Sequence, residues 1–323
     1  MSAIAAKGLG IAVLGAAVAM LTTHLAQALR TGKTSSAGAP PASTIAPLAS
    51  RESHALHASA ALLTASVLTD SALEHYRGEF KNPGMYTPLV TALATLIAGT
   101  SGALSRAQAV PARLRSRVYA TAAAVGCAGL AFHLYNILKR PGRVDWSNLF
   151  YGAPLGAPAA LSLAGATGLA ADALHSPGPL IAPQLLGFPA ARVLAALTSI
   201  GLLGTVGEAG LLHFRGAFQN PFMWLPVTVP PIAAAVMARV ALARDGARHG
   251  WVTRGWLYLT GLVGLAGVGF HTYGVARQMG GWRNWTQNVL SGPPLPAPPS
   301  FTALALTGLT ALSLAKRHDA QQE

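Results

Sequence analysis

Apolar runs of about twenty residues follow one another along the whole chain, with short loops between them. A run of that length crosses the roughly 30 Å hydrocarbon core of a bilayer as a helix. The runs fall near residues 8–29, 54–76, 87–105, 116–138, 152–174, 190–214, 224–243, 252–276 and 298–316. Only 10% of the 323 residues are charged, against about a quarter in a soluble domain. The expected class is an all-α integral membrane protein with nine spans, in contact with lipid along its length.

The chain also repeats itself. Residues 70–88 read DSALEHYRGEFKNPGMYTP, and residues 208–226 read EAGLLHFRGAFQNPFMWLP. His75, Arg77, Gly78, Asn82, Pro83 and Met85 match His213, Arg215, Gly216, Asn220, Pro221 and Met223 at an offset of 138 (213 − 75). A second pair keeps that offset: Phe132-His133-x-Tyr135 against Phe270-His271-x-Tyr273. The loops GAPLGAP at 152–158 and GPPLPAP at 292–298 also match. The reading is a tandem duplication of a four-helix transmembrane unit, eight spans in all, preceded by an N-terminal apolar helix. An even number of spans per unit inserts both halves the same way round.

The domain plan follows. Residues 1–30 form a transmembrane helix or a signal peptide, with Lys7 before the run and Ala26-Gln27-Ala28 as a cleavage-like triplet. Residues 31–53, rich in Ser, Ala and Pro, read as a flexible linker. The first unit covers 54–174, a joint 175–189, the second unit 190–316, and a polar tail 317–323. Within the repeated motif, Gly78 and Gly216 suit a left-handed position after a helix end. Pro88 and Pro226 suit the first turn of the next helix.

The net charge of +13 sits in the loops. It reads as a topology signal rather than a nucleic-acid footprint. Lys7, Arg77, Lys81, Lys139, Arg140, Arg143, Arg215, Arg277 and Arg283 share the face of the repeated His motifs, and the other fourteen of the 23 Lys and Arg lie on the opposite face. The positive-inside rule puts the His face outward, periplasmic in a bacterial inner membrane. Cys127 stands alone and forms no internal disulfide.

Four histidines carry the functional argument. His75 and His133 end the first and third spans of their unit, which run in the same direction, so both lie at one depth. His213 and His271 do the same. Paired imidazoles at one depth are the arrangement that grips a haem iron from both sides. Helical side chains lean over the residue four positions earlier, and those residues are Ser71, Gly129, Ala209 and Gly267, all small. Arg77 and Arg215 are candidates to pair with haem propionates. Asp70 and Glu208, inside the spans, are candidates for proton delivery to quinone, as are Tyr135 and Tyr273. His54 and His57 have no counterpart in the second half, and His24, His175, His249 and His318 are isolated.

The expectation is a di-haem b-type membrane electron-transfer subunit. Electrons pass between a partner dehydrogenase or soluble carrier at the outer face and membrane quinone. The arrangement is similar to that of the helical membrane cytochrome b subunits of respiratory dehydrogenases. Its pairing, within or between units, is open. The alternatives are a duplicated transporter or channel using the buried Asp, Glu and His for protons or metal ions, and a copper site of four imidazoles.

Overall fold

The computed structural model describes residues 46–104, 110–175, 183–243 and 250–320. The N-terminal run at 1–30 and most of the 31–53 segment lie outside the described residues. Among the described residues are eight long helices: α1 (Ala46–Arg77), α2 (Thr87–Ala103), α3 (Ala112–Leu138), α5 (Gly156–His175), α6 (Ala190–Arg215), α7 (Leu225–Leu242), α8 (Trp251–Ala276) and α10 (Pro299–Ala320). Two short helices, α4 (Trp146–Tyr151) and α9 (Trp285–Ser291), precede α5 and α10.

Among the described residues, six helical stretches are long and apolar enough to cross a membrane: Arg51–Arg77, Ala112–Leu138, Gly156–Leu174, Ala190–Arg215, Pro221–Leu242 and Trp251–Ala276. The molecule is therefore an all-α multi-pass membrane protein in contact with lipid. The other two long helices fall short for identifiable reasons. α2 has 17 residues, about 26 Å of helix at 1.5 Å per residue. α10 spends many positions on hydroxyls, among them Ser300, Thr302, Thr307, Thr310 and Ser313.

Two boundaries differ from the sequence reading. Residues 46–53 are the first turns of α1, not linker. Glu52 explains why they are held: it is 4% exposed and accepts a hydrogen bond from Ser313 Oγ of α10 at 2.7 Å. The joint before α6 also contains a small hairpin, β1 (Gln184–Leu185) paired antiparallel with β2 (Phe188–Pro189). Leu186 and Gly187 turn it with φ of 55° and 79°, as a tight hairpin turn with the sheet's own twist requires.

Each half is a four-helix bundle. α1 packs on α2 and α5, and α3 packs on the same two, so α1 and α3 are diagonal partners. α6, α7, α8 and α10 repeat that order, with α6 and α8 diagonal. The halves meet through α1, α5, α6 and α10. One apolar core joins them, with Leu56, Leu63, Leu194, Leu202, Met237, Leu257 and Leu304 among its largest members. Lipid is as apolar as leucine, so helix association here rests on close packing and interhelical hydrogen bonds. The α1–α10 seam supplies both. Ser59 Oγ donates to the Ala303 carbonyl at 2.7 Å and lies 2.7 Å from Thr307 Oγ1, and Ser66 donates to the Pro296 carbonyl.

Glycines set the closest crossings. A methyl at Gly126 would overlap Ser162 of α5, and one at Gly264 would overlap Thr302 of α10. One turn along, Gly129 receives Pro158 and Gly267 receives Pro298. These proline contacts account for Gly129 and Gly267 by helix packing. Clearance for a ligand is not needed to explain them.

Candidate functional site

The four motif histidines end α1, α3, α6 and α8, the diagonal helices of their bundles. Two kinds of loop hold them. After α1 the chain turns through Glu79 and Phe80, both with positive φ (56° and 47°). After α6 it turns through Ala217 and Phe218 in the same way (55° and 46°). The left-handed positions are therefore not Gly78 and Gly216, as the sequence suggests. Those glycines make room for a neighbour: a Cβ there would lie 2.9 Å from Met85 Cε and 2.8 Å from Met223 Cε.

The Asn-Pro step then builds a single turn of 3-10 helix. Asn82 Oδ1 accepts the Gly84 N–H at 2.9 Å, and Asn220 Oδ1 accepts the Phe222 N–H at 3.0 Å. Proline supplies the fixed φ of the first turn position. In the first half the outcome is a carbonyl aimed back at the helix end: His75 Nδ1 lies 2.6 Å from the Met85 oxygen. In the second half the Met223 carbonyl holds the matching place beside His213, but the buried Nδ1 of His213 completes no hydrogen bond of ordinary geometry. Stacked rings close each turn, Phe80 on Tyr86 at 4.6 Å and Phe218 on Trp224 at 4.2 Å.

The proline-rich loops treat the other two histidines alike. His133 Nδ1 is hydrogen-bonded to the Pro154 carbonyl and His271 Nδ1 to the Pro294 carbonyl, the latter at 2.7 Å. An imidazole that donates Nδ1–H to a carbonyl is neutral in one tautomer, with its lone pair on Nε2. These backbone acceptors were not foreseen from the sequence. The signal was present in the matched prolines, whose role read only as chain-breaking.

In the second half two of the histidines come together. The His213 and His271 ring centres are 6.5 Å apart with planes at 81°. Among the described residues no three or more His, Cys, Asp or Glu side chains gather as a metal cluster.

The remaining candidates lie elsewhere. Ser71 is buried at 5%, and Ala209 packs against the core. Arg77 pairs with Glu74 and donates to the Leu290 carbonyl of α9, in the other half. Arg215 lies over the Tyr151 ring of α4, again in the other half, at 5.4 Å. Both arginines thus tie the halves together. Tyr135 and Tyr273 face outward, each 61% exposed, beneath Lys139 and Arg277. Asp70 and Glu208 are brought close enough to interact, with Glu74 nearby. The Glu208 carboxylate lies against Gly156 at the start of α5, where the helix dipole favours a carboxylate.

No family model, curated protein or solved structure matches the chain.

Proposed function

We propose that this chain is a membrane electron-transfer subunit holding two b-type haems, one in each half. It passes electrons between a dehydrogenase or soluble carrier at the outer face and quinone in the bilayer. In this reading all eight long helices cross the membrane as two copies of one duplicated unit, with the His ends toward the periplasm of a bacterial inner membrane.

The observation that carries the reading is the His213–His271 pair. A metal–nitrogen bond is about 2 Å and an imidazole centre lies roughly 1 Å behind its nitrogen, so a metal gripped from both sides sets the two centres roughly 6 Å apart. The rings stand 6.5 Å apart. His271 keeps its Nδ1 on a backbone carbonyl, the outer-shell contact that orients a ligating imidazole and leaves Nε2 free. Haem iron needs only two axial ligands from the protein, because the macrocycle supplies the rest. Two imidazoles per half, without a larger ligand cluster, suit such an iron better than copper held by protein alone.

Bound there, haem supplies one-electron transfer. The chain's own part is to fix the tautomers of His75, His133 and His271 on backbone carbonyls, to keep the histidines at the ends of rigid bundles, and to hold Asp70 and Glu208 one to two turns further inside. Those two acids also favour the competing reading, a duplicated proton or ion transporter, because they meet at the seam between the halves.

The purified protein's reduced-minus-oxidised visible spectrum and its haem-to-protein ratio test the reading. The expected result is a low-spin b-type band with two haems per chain, falling to one in His271→Ala. A colourless, metal-free preparation sinks the proposal in favour of transport. A metal without porphyrin sinks it in favour of the copper site.

A further inference from the structure

At the end of the first bundle away from the motif histidines lies a buried polar cluster. His57 of α1, 1% exposed, stands 2.8 Å through Nδ1 from the Tyr119 hydroxyl of α3. Its Nε2 lies 3.6 Å from Asp172 Oδ1 of α5. The same carboxylate accepts Arg115 Nε–H at 2.5 Å and the Ser116 hydroxyl at 2.8 Å. Tyr119 is wholly buried and Arg115 is 3% exposed. His57 precedes His75 by eighteen residues (75 − 57) on one helix, about 27 Å along its axis.

Two glycines shape the space. A methyl at Gly102 of α2 would overlap the His57 ring, and one at Gly168 of α5 would overlap the Tyr119 ring. Among the described residues, α3 brings Arg115 and Tyr119 to the cluster, α5 brings Asp172, and α2 sets Gly102 against the His57 ring. On α1 itself, Glu52 is bonded to Ser313 and His54 is half-buried.

The second half is an internal control. The 138-residue offset puts Ala195 at the place of His57, Val240 at Gly102, Thr253 at Arg115 and Leu257 at Tyr119. The offset of the proline loops, 140 (292 − 152), puts Leu312 at Asp172 and Gly308 at Gly168. Gly308 lies against Leu257 as Gly168 lies against Tyr119. Ala195, Val240, Leu257 and Leu312 all belong to the apolar core. His with Gly in one half becomes Ala with Val in the other, so the space is filled either way. A bundle of the same order thus forms with apolar residues at the places of His57, Tyr119 and Asp172, while Arg254 stands at the place of Ser116. Replacing a buried ion pair by packed apolar residues is often neutral or stabilising, so fold stability does not account for the cluster. Ionisable groups inside a membrane bundle mark chemistry by default.

We propose that His57, with Tyr119 and Asp172, is a proton-exchanging site at this end of the first bundle. In the neutral state Nδ1 accepts the Tyr119 O–H and Nε2–H faces Asp172. One proton is taken up at Nδ1. The tyrosine hydrogen turns away, and the tyrosine oxygen accepts the new N–H. The imidazolium then faces the Asp172 carboxylate, and releasing the proton reverses each step. Ser116, half-buried between the exposed Arg113 and Arg117, links the carboxylate to the outer turn of α3. The site's ligand is a proton from the aqueous phase, and its action does not depend on whether the motif histidines hold haem.

The test is nuclear magnetic resonance of histidine-labelled full-length protein in lipid nanodiscs between about pH 5 and 9, the range in which imidazoles switch charge. A variant carrying His57→Ala with Gly102→Val, the second-half pair, identifies the His57 signal and is expected to fold and insert. In the unsubstituted protein that signal is expected to convert between neutral and protonated forms. In Asp172→Asn the conversion is expected to be lost. A His57 signal fixed in one form across the range overturns the proposal, and so does an Asp172→Asn protein that converts as the parent does. If Asp172→Asn does not fold, the parent signal alone decides. The imidazole signals are read without reference to pigment, so a colourless protein leaves this test intact.

Discussion

His75 and Met85 are joined by a 2.6 Å contact between an imidazole nitrogen and a carbonyl oxygen, ten residues apart in the chain. The carbonyl is aimed by the 3-10 turn that Asn82 caps, so the histidine's orientation is controlled from a side chain that never touches it.

Asn82→Ala removes the acceptor for the Gly84 N–H. Losing such a cap costs about 1 kcal/mol. In the haem reading the variant is expected to lose pigment from the first half only, with the second half unchanged, and Asn220→Ala does the reverse. Haem content and melting temperature measured on both variants check this. Equal loss from both halves contradicts it.

Gly126→Ala places a methyl against the Ser162 backbone nitrogen and the Pro158 carbonyl, groups that cannot rotate away. Prying α3 from α5 is expected to cost about 1–3 kcal/mol, as overpacking does. Gly129→Leu, which meets Pro158, is expected to destabilise whether or not pigment is present. Unfolding in mixed micelles, with pigment removed, separates packing loss from ligand loss.

Ser59→Ala removes a hydroxyl that joins α1 to Ala303 and Thr307 across the seam. Interhelical hydrogen bonds in membranes average about 0.6 kcal/mol and reach about 1.7, so a modest loss near that range is expected. A loss above about 2 kcal/mol would mean the seam packs through this residue rather than merely bonding through it.

Glu208→Gln keeps a polar group against Gly156 and removes a charge beside Asp70. It is expected to change stability by less than about 0.5 kcal/mol, whereas Glu208→Ala takes the polar group from the first turn of α5 and costs about 1–3 kcal/mol. Equal melting temperatures for the two variants would remove the carboxylate from any role in starting α5.

Much of the architecture was legible because a bilayer admits few solutions. The eight long helices fall close to the apolar runs, and the histidines lie toward helix ends as their spacing implies, though on diagonal rather than neighbouring helices. What was not legible depended on contacts between distant segments. The glycines of the repeated motif looked like left-handed turn residues, but Glu79, Phe80, Ala217 and Phe218 take that conformation and the glycines yield space to methionine. Gly129 and Gly267 looked like clearance for a ligand until Pro158 and Pro298 were seen to fill it. His57 read only as a residue without a second-half counterpart, because its partners Tyr119 and Asp172 come from helices 62 and 115 residues away (119 − 57 and 172 − 57).

The crossed arginines carry a consequence for assembly. Arg77 is anchored on Leu290 and Arg215 on Tyr151, so each half owns the anchor for its sibling's cation. A chain severed in the joint before the hairpin would yield one fragment whose Arg77 keeps only Glu74 and another whose Arg215 has lost the Tyr151 ring. Neither fragment is a finished protein alone, yet each carries what the other lacks, and co-production should let them recombine in the membrane.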